Sequence, residues 1–133
     1  MSESERDPRH LLALRLNEQY PNDVGIIVSF LLNYITLKPG ESLILQPNEP
    51  HAYLSGEGIE CMATSDNVVR GGLTPKLKDA KILVDMLTYN TGDITPYTGE
   101  IIGEGGSSAK MYTSGFKEFN VIRVKFDANV SEF

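Results

Sequence analysis

At 133 residues, 41% hydrophobic and 23% charged, the chain holds enough material for a single modest core in an ordinary globular domain. A net charge of −6 argues against nucleic acid or an anionic membrane as partner, since either would require a basic patch. One cysteine, Cys61, excludes an internal disulfide and fits a reducing compartment.

Residues 1–6 read as a charged tail, and the polar start shows no basic-then-apolar leader, so the cytoplasm is the expected location. Asp7-Pro8 predicts a helix entry, with the aspartate as cap and proline at the first helical position. Leu11, Leu12, Leu14 and Leu16 supply its apolar face, and Tyr20-Pro21 discourages continuation. The β-branched and aromatic run 26–37 predicts a buried strand from about Ser29, too short and interrupted to span a membrane. Lys38-Pro39-Gly40-Glu41 predicts a turn, with 42–45 returning as the partner strand of a hairpin.

Short strands follow at 52–54, 59–64 and 67–70, and 78–89 predicts a second helix with Ile82, Leu83, Met86 and Leu87 on its apolar side. The stretch 91–115, rich in Gly, Thr and Ser, reads as a linker or long flexible loop. Its run Gly103-Glu104-Gly105-Gly106-Ser107-Ser108 lacks the Gly-Lys-Ser/Thr ending of a phosphate loop. A last strand is expected in 116–126, burying Phe119, Val121, Ile122 and Val124. Many short strands separated by turn residues predict a mainly β architecture, a sandwich or barrel, of which a jelly roll is one form.

Six side chains are chemical candidates. His51 follows Pro50 in a proline-punctuated loop; imidazole is a common zinc ligand, but a hydrogen-bonded loop histidine fits the local sequence too. Arg70, between Val69 and two glycines, lies where backbone can approach a ligand and a permanent cation can project, or else it forms a surface ion pair. Lys76, after Thr74-Pro75, offers positive charge beside a turn, whereas Lys78 reads as a solvated surface charge. Tyr53, Glu60 and Asp66 read locally as a packed tyrosine and two surface carboxylates.

The run Pro47-Asn48-Glu49-Pro50-His51-Ala52-Tyr53-Leu54, followed by Glu60-Cys61-Met62-Ala63-Thr64-Ser65-Asp66-Asn67-Val68-Val69-Arg70-Gly71-Gly72-Leu73-Thr74-Pro75-Lys76, closely resembles the carboxy-terminal signature of the type I mannose-6-phosphate isomerases. Those are cupin-fold zinc enzymes that interconvert mannose 6-phosphate and fructose 6-phosphate. The resemblance extends over about residues 11–89. It implies that His51 is the one carboxy-terminal zinc ligand, Arg70 the catalytic arginine and Lys76 the active-site lysine. Tyr53, Glu60 and Asp66 would line the substrate pocket. Family members commonly have alanine where this chain has Gly71.

The family's other zinc ligands, a Gln-x-His pair and a later glutamate, have no counterpart in this sequence. The resemblance therefore implies a fragment from the carboxy-terminal half of such an enzyme, inactive by itself. Its fold would be a partial cupin-like jelly roll with a flanking amino-terminal helix and a short helix after the active-site motif. The implied organisation is a tail and end of a helical region (1–20), a catalytic-core segment (21–90), a linker (91–115) and the start of a further β portion (116–133). The implied chemistry is proton transfer between C1 and C2 of a sugar phosphate through a cis-enediol, with zinc as Lewis acid. Two readings of other classes stand beside it: a catalytically silent sugar-phosphate-binding module, and an interaction remnant that self-associates through exposed sheet edges.

Overall fold

The computed structural model of the chain describes residues 7–103 and 108–126. The expected tail, 1–6, and part of the glycine-serine run, 104–107, lie outside the described residues. The chain divides into two compact units. The first comprises Met1–Thr36, Pro47–Ala52 and Asp66–Ile94, the second Leu37–Gln46, Tyr53–Ser65 and Thr95–Phe133.

The first unit is helical. Helix α1 spans Pro8–Gln19, with the Asp7 side chain accepting from the Arg9 amide at 2.8 Å and Pro8 in the first turn, as expected. Leu12 and Leu16, one helical turn apart, are 6% and 1% exposed, each contributing about 1.5–3 kcal/mol of transfer free energy. Leu11 and Leu14 lie off that stripe and are exposed, so the buried face is narrower than the four leucines predicted. The Tyr20 amide closes the helix on the Leu16 carbonyl at 2.7 Å before Pro21 ends it.

Helix α2, Gly25–Val28, occupies the start of the 26–37 run, just ahead of the strand expected from about Ser29. Continuing turns from Phe30 N–H to the Ile27 carbonyl (3.1 Å) and from Leu31 N–H to that of Val28 (2.9 Å) satisfy this backbone locally, and Leu31 stays exposed. Helix α3, Ala80–Met86, follows the expected 78–89 pattern over its central part, with the Asp79 carboxylate accepting from the Ile82 amide at 3.0 Å. Leu83, Met86 and Leu87 are half-buried, while Ile82 faces out.

The second unit carries the sheet. Strands β1 (Glu100–Ile102), β2 (Ser108–Thr113) and β3 (Asn120–Lys125) form an antiparallel meander in that order, with Ile102 opposite Ala109 and Met111 opposite Ile122. Strands β1 and β2 thus arise within 91–115, the stretch read as a linker. Ser114, at the turn into β3, is a buried hydroxyl donating to the Phe119 carbonyl and accepting from the Phe116 amide at 3.0 Å. Strand β3 falls within the expected 116–126, but Ile122 and Val124 are exposed where burial was expected.

The turn at Lys38 forms as read: the Glu41 amide donates to the Lys38 carbonyl at 2.9 Å, and Gly40 adopts a φ of 88° that suits glycine at that corner. Its expected hairpin does not form. Ser42 pairs instead with Tyr97 through backbone bonds of 2.8 and 2.9 Å. Tyr112 from β2 meets Tyr97 edge-on at 6.0 Å and donates its hydroxyl to the Gly40 carbonyl at 2.8 Å. The stretches 29–37, 52–54, 59–64 and 67–70 are likewise not strands. Strand propensity expresses itself only where a neighbouring strand completes the ladder, and these segments find none among the described residues.

Candidate functional site

His51 sits in the 47–52 loop of the first unit, exposed, with its Nδ1 3.0 Å from the Glu49 carbonyl oxygen. In the tautomer whose Nδ1–H donates to that carbonyl, the ring's lone pair resides on Nε2, the arrangement common in metal-ligating histidines. The loop is fixed against residues 88–90. There the Thr88 amide donates to the Asn48 carbonyl at 3.3 Å, and the Asn90 side-chain amide to the Glu49 carboxylate at 3.0 Å. Asn48 itself takes a left-handed φ of 65°, a conformation asparagine tolerates.

In the second unit, Tyr53 donates its hydroxyl to the Glu60 Oε1 at 2.8 Å, the contact that brings two candidate residues together. Tyr53 is 70% exposed as a residue, yet partial loss of water around its phenol, with the Glu60 carboxylate as acceptor and neighbouring charge, pushes its pKa up to about 12. The phenol thus stays a proton donor throughout the neutral range.

Asp66, Arg70 and Lys76 return to the first unit, and all three are exposed. The Val68 amide donates to the Asp66 carbonyl at 2.9 Å, a tight turn just ahead of Arg70. The Thr74-Pro75-Lys76 turn is tied by the Lys76 amide donating to the Thr74 Oγ1 at 3.2 Å.

Between Arg70 and Lys76 the chain is docked onto the start of α2. The Asp23 Oδ1 accepts from the amides of Gly25 and Leu73, each at 2.7 Å. Its Oδ2 pairs with the Lys78 ammonium at 3.1 Å, and that ammonium also donates to the Thr74 carbonyl at 2.8 Å. The Asp23 side chain is 8% exposed. Gly25 and Gly72 touch backbone to backbone: a Cβ on Gly72 would fall 2.7 Å from the Gly25 Cα. Leu73 is held at a left-handed φ of 51°, strain that persists where surrounding contacts over-determine the residue. Lys78, expected to be a solvated charge, is instead half of an ion pair. Asp23 was not among the sequence candidates; its one local signal is the Asn22-Asp23 turn two residues before Gly25.

Burial alone would raise the pKa of Asp23, but the Leu73 and Gly25 amides and Lys78 outweigh it and hold the carboxyl at about 2, below its ordinary 3.8. A depressed carboxylate stabilises the fold fully above its unfolded-state pKa, and the contribution disappears as pH falls through the folded value. Acid titration should therefore shrink the stability difference between the native chain and Asp23→Ala between pH 3.8 and about 2, by about 2 kcal/mol. Denaturant melts at pH 6 and pH ~2 measure that difference; a pH-independent difference would contradict the assignment.

Among the described residues, no three His, Cys, Asp or Glu side chains group so as to hold a metal ion. A zinc site needs three or four protein ligands, so His51 and its described neighbours do not by themselves fit zinc. No helix among the described residues is long and apolar enough to cross a membrane.

The chain is 63% identical over 90 residues to a probable mannose-6-phosphate isomerase of Dictyostelium discoideum, covering 68% of this chain and 20% of the relative. It is 51% identical over 121 residues to the mannose-6-phosphate isomerase of Cryptococcus neoformans, covering 86% of this chain and 27% of that protein. The chain is a homologue of the mannose-6-phosphate isomerases. A plant relative, mannose-6-phosphate isomerase 2 of Arabidopsis thaliana, is 50% identical over 101 residues, 70% of this chain and 23% of its own length. The chain thus spans about a quarter of the length of these isomerases. No family model matches it, and no solved structure does.

Proposed function

We propose that this chain forms the carboxy-terminal part of the active site of a zinc-dependent mannose-6-phosphate isomerase. The reading is carried by the 63% identity over 90 residues to a protein of that name. Arg70 acts on the reacting sugar. Its guanidinium carries only N–H donors, so it serves as a donor to the developing enediolate oxygens and not as the base. Lys76 attracts and places the phosphorylated substrate, and Tyr53, Glu60 and Asp66 line the pocket. Tyr53 orients the Glu60 carboxylate there through its hydroxyl bond. The three-stranded meander belongs to a cupin-type jelly roll completed by strands from outside this chain, and the enzyme works in the cytoplasm.

His51 supplies one zinc ligand, the remaining ligands coming from outside this chain. The test uses a segment-swap enzyme, a relative's isomerase in which this chain replaces the matching segment. In it, His51→Ala should lower zinc content and turnover together, with metal affinity weakened at least ~10-fold. Zinc content that stays stoichiometric in His51→Ala would overturn the ligand assignment.

A further inference from the structure

We propose that Asp23 is a positioning residue of the isomerase site, its carboxylate clamping the 71–78 segment so that Arg70 is presented in fixed register. The proposal rests on the isomerase reading above for what Arg70 does, but the clamp is defined by geometry. One carboxylate holds three points of the chain. Oδ1 takes the amides of Gly25 and Leu73 at 2.7 Å each, and Oδ2 takes the Lys78 ammonium at 3.1 Å. Leu73 stands three residues after Arg70 and three before Lys76, and Lys78 two beyond Lys76.

The clamp therefore grips the segment between its two cations and just past the second. The Lys78 ammonium completes the grip by tying back to the Thr74 carbonyl at 2.8 Å. Gly25 and Gly72 pack so closely beside it that a Cβ on Gly72 would fall 2.7 Å from the Gly25 Cα, leaving no room for a side chain. With the side chain 8% exposed, these bonds compete little with water. A carboxylate so placed does not touch the substrate; it acts through Arg70. A misplacement of about 1 Å in a group that works on a transition state can cost about 10²-fold in rate.

In the segment-swap enzyme, Asp23→Ala should lower kcat by about 10–10²-fold with zinc content unchanged. The distinguishing result comes from the double mutant. A residue that acts through Arg70 has little left to lose once Arg70 is gone, so Asp23→Ala should cost less than about 2-fold further in an Arg70→Ala background. Multiplying losses, or an unchanged kcat in the single mutant, would overturn the proposal. If Asp23→Ala fails to fold, Asp23→Asn and Lys78→Met are read instead. Each leaves the two amide bonds their acceptor and removes the ion pair, and each should lower kcat several-fold; no loss in either overturns the clamp. An inactive native swap, or an Arg70→Ala swap with full activity, counts against the isomerase reading itself. The clamp is then decided on the 133-residue chain by amide exchange. Faster exchange at Leu73 in Asp23→Ala, by ~10-fold or more and without change in α1, sustains it, and unchanged exchange refutes it.

Discussion

Arg70→Ala in the segment-swap enzyme is expected to lower kcat by about 10²–10³-fold while zinc content stays at the parent level. Isomerisation through an enediol places negative charge on oxygens that are neutral in the substrate, and a donor aimed at them lowers the barrier more than it aids binding. Arg70 is exposed in this chain, at the end of a segment whose next residues are docked on Asp23, so its head can reach a substrate while its backbone is held. The loss should fall on kcat rather than on KM, because the interaction strengthens at the transition state. Metal analysis beside steady-state kinetics checks this. Loss of zinc along with activity would mean that Arg70 supports the architecture of the site instead.

The second large effect separates two adjacent glycines. Gly72→Ala should destabilise the docked segment by about 1–3 kcal/mol, and Gly71→Ala should be tolerated within about 0.5 kcal/mol. A methyl on Gly72 would lie 2.7 Å from the Gly25 Cα, 2.8 Å from its nitrogen and 3.0 Å from the Asp23 Oδ1. Two of those three atoms are backbone and cannot rotate aside, so the 71–78 segment would have to lift. A methyl on Gly71 meets the Leu83 Cδ2 at 3.6 Å, an ordinary contact. An alanine at position 71 is therefore accommodated here. Denaturant melts of the two variants, with turnover in the segment-swap enzyme, measure the contrast. Equal losses at the two positions would show that the Gly25–Gly72 contact does not govern the segment's placement.

What could be read from the sequence was local. The Asp7-Pro8 entry, the Pro39-Gly40 corner and the helix after Asp79 each depend on residues within four positions of one another. Each forms where it was expected, α3 over a shorter span. What could not be read was pairing at long range. Ser42 takes Tyr97 as partner across 55 residues, a choice that nothing around Ser42 encodes. Strands β1 and β2 emerge from a stretch whose glycines and serines resemble a linker, because a strand needs a matching neighbour more than it needs strong β propensity. The same limit hid the clamp: Asp23 meets Leu73 across 50 residues and Lys78 across 55. The motif residues themselves were visible, and the structure brings Tyr53 and Glu60 into contact. Asp23 carries no motif, so its partnership with the 71–78 segment becomes apparent only when the chain is folded.

If this chain supplies a working part of a mannose-6-phosphate isomerase, it should support catalysis when placed in a relative's enzyme. Turnover of mannose 6-phosphate by the segment-swap enzyme, measured after its zinc content has been confirmed, tests it most directly. Fructose 6-phosphate should form at a rate within about tenfold of the parent enzyme, since the segment would bring its own Arg70, Lys76 and His51. A folded, zinc-loaded swap enzyme that forms no fructose 6-phosphate would contradict it.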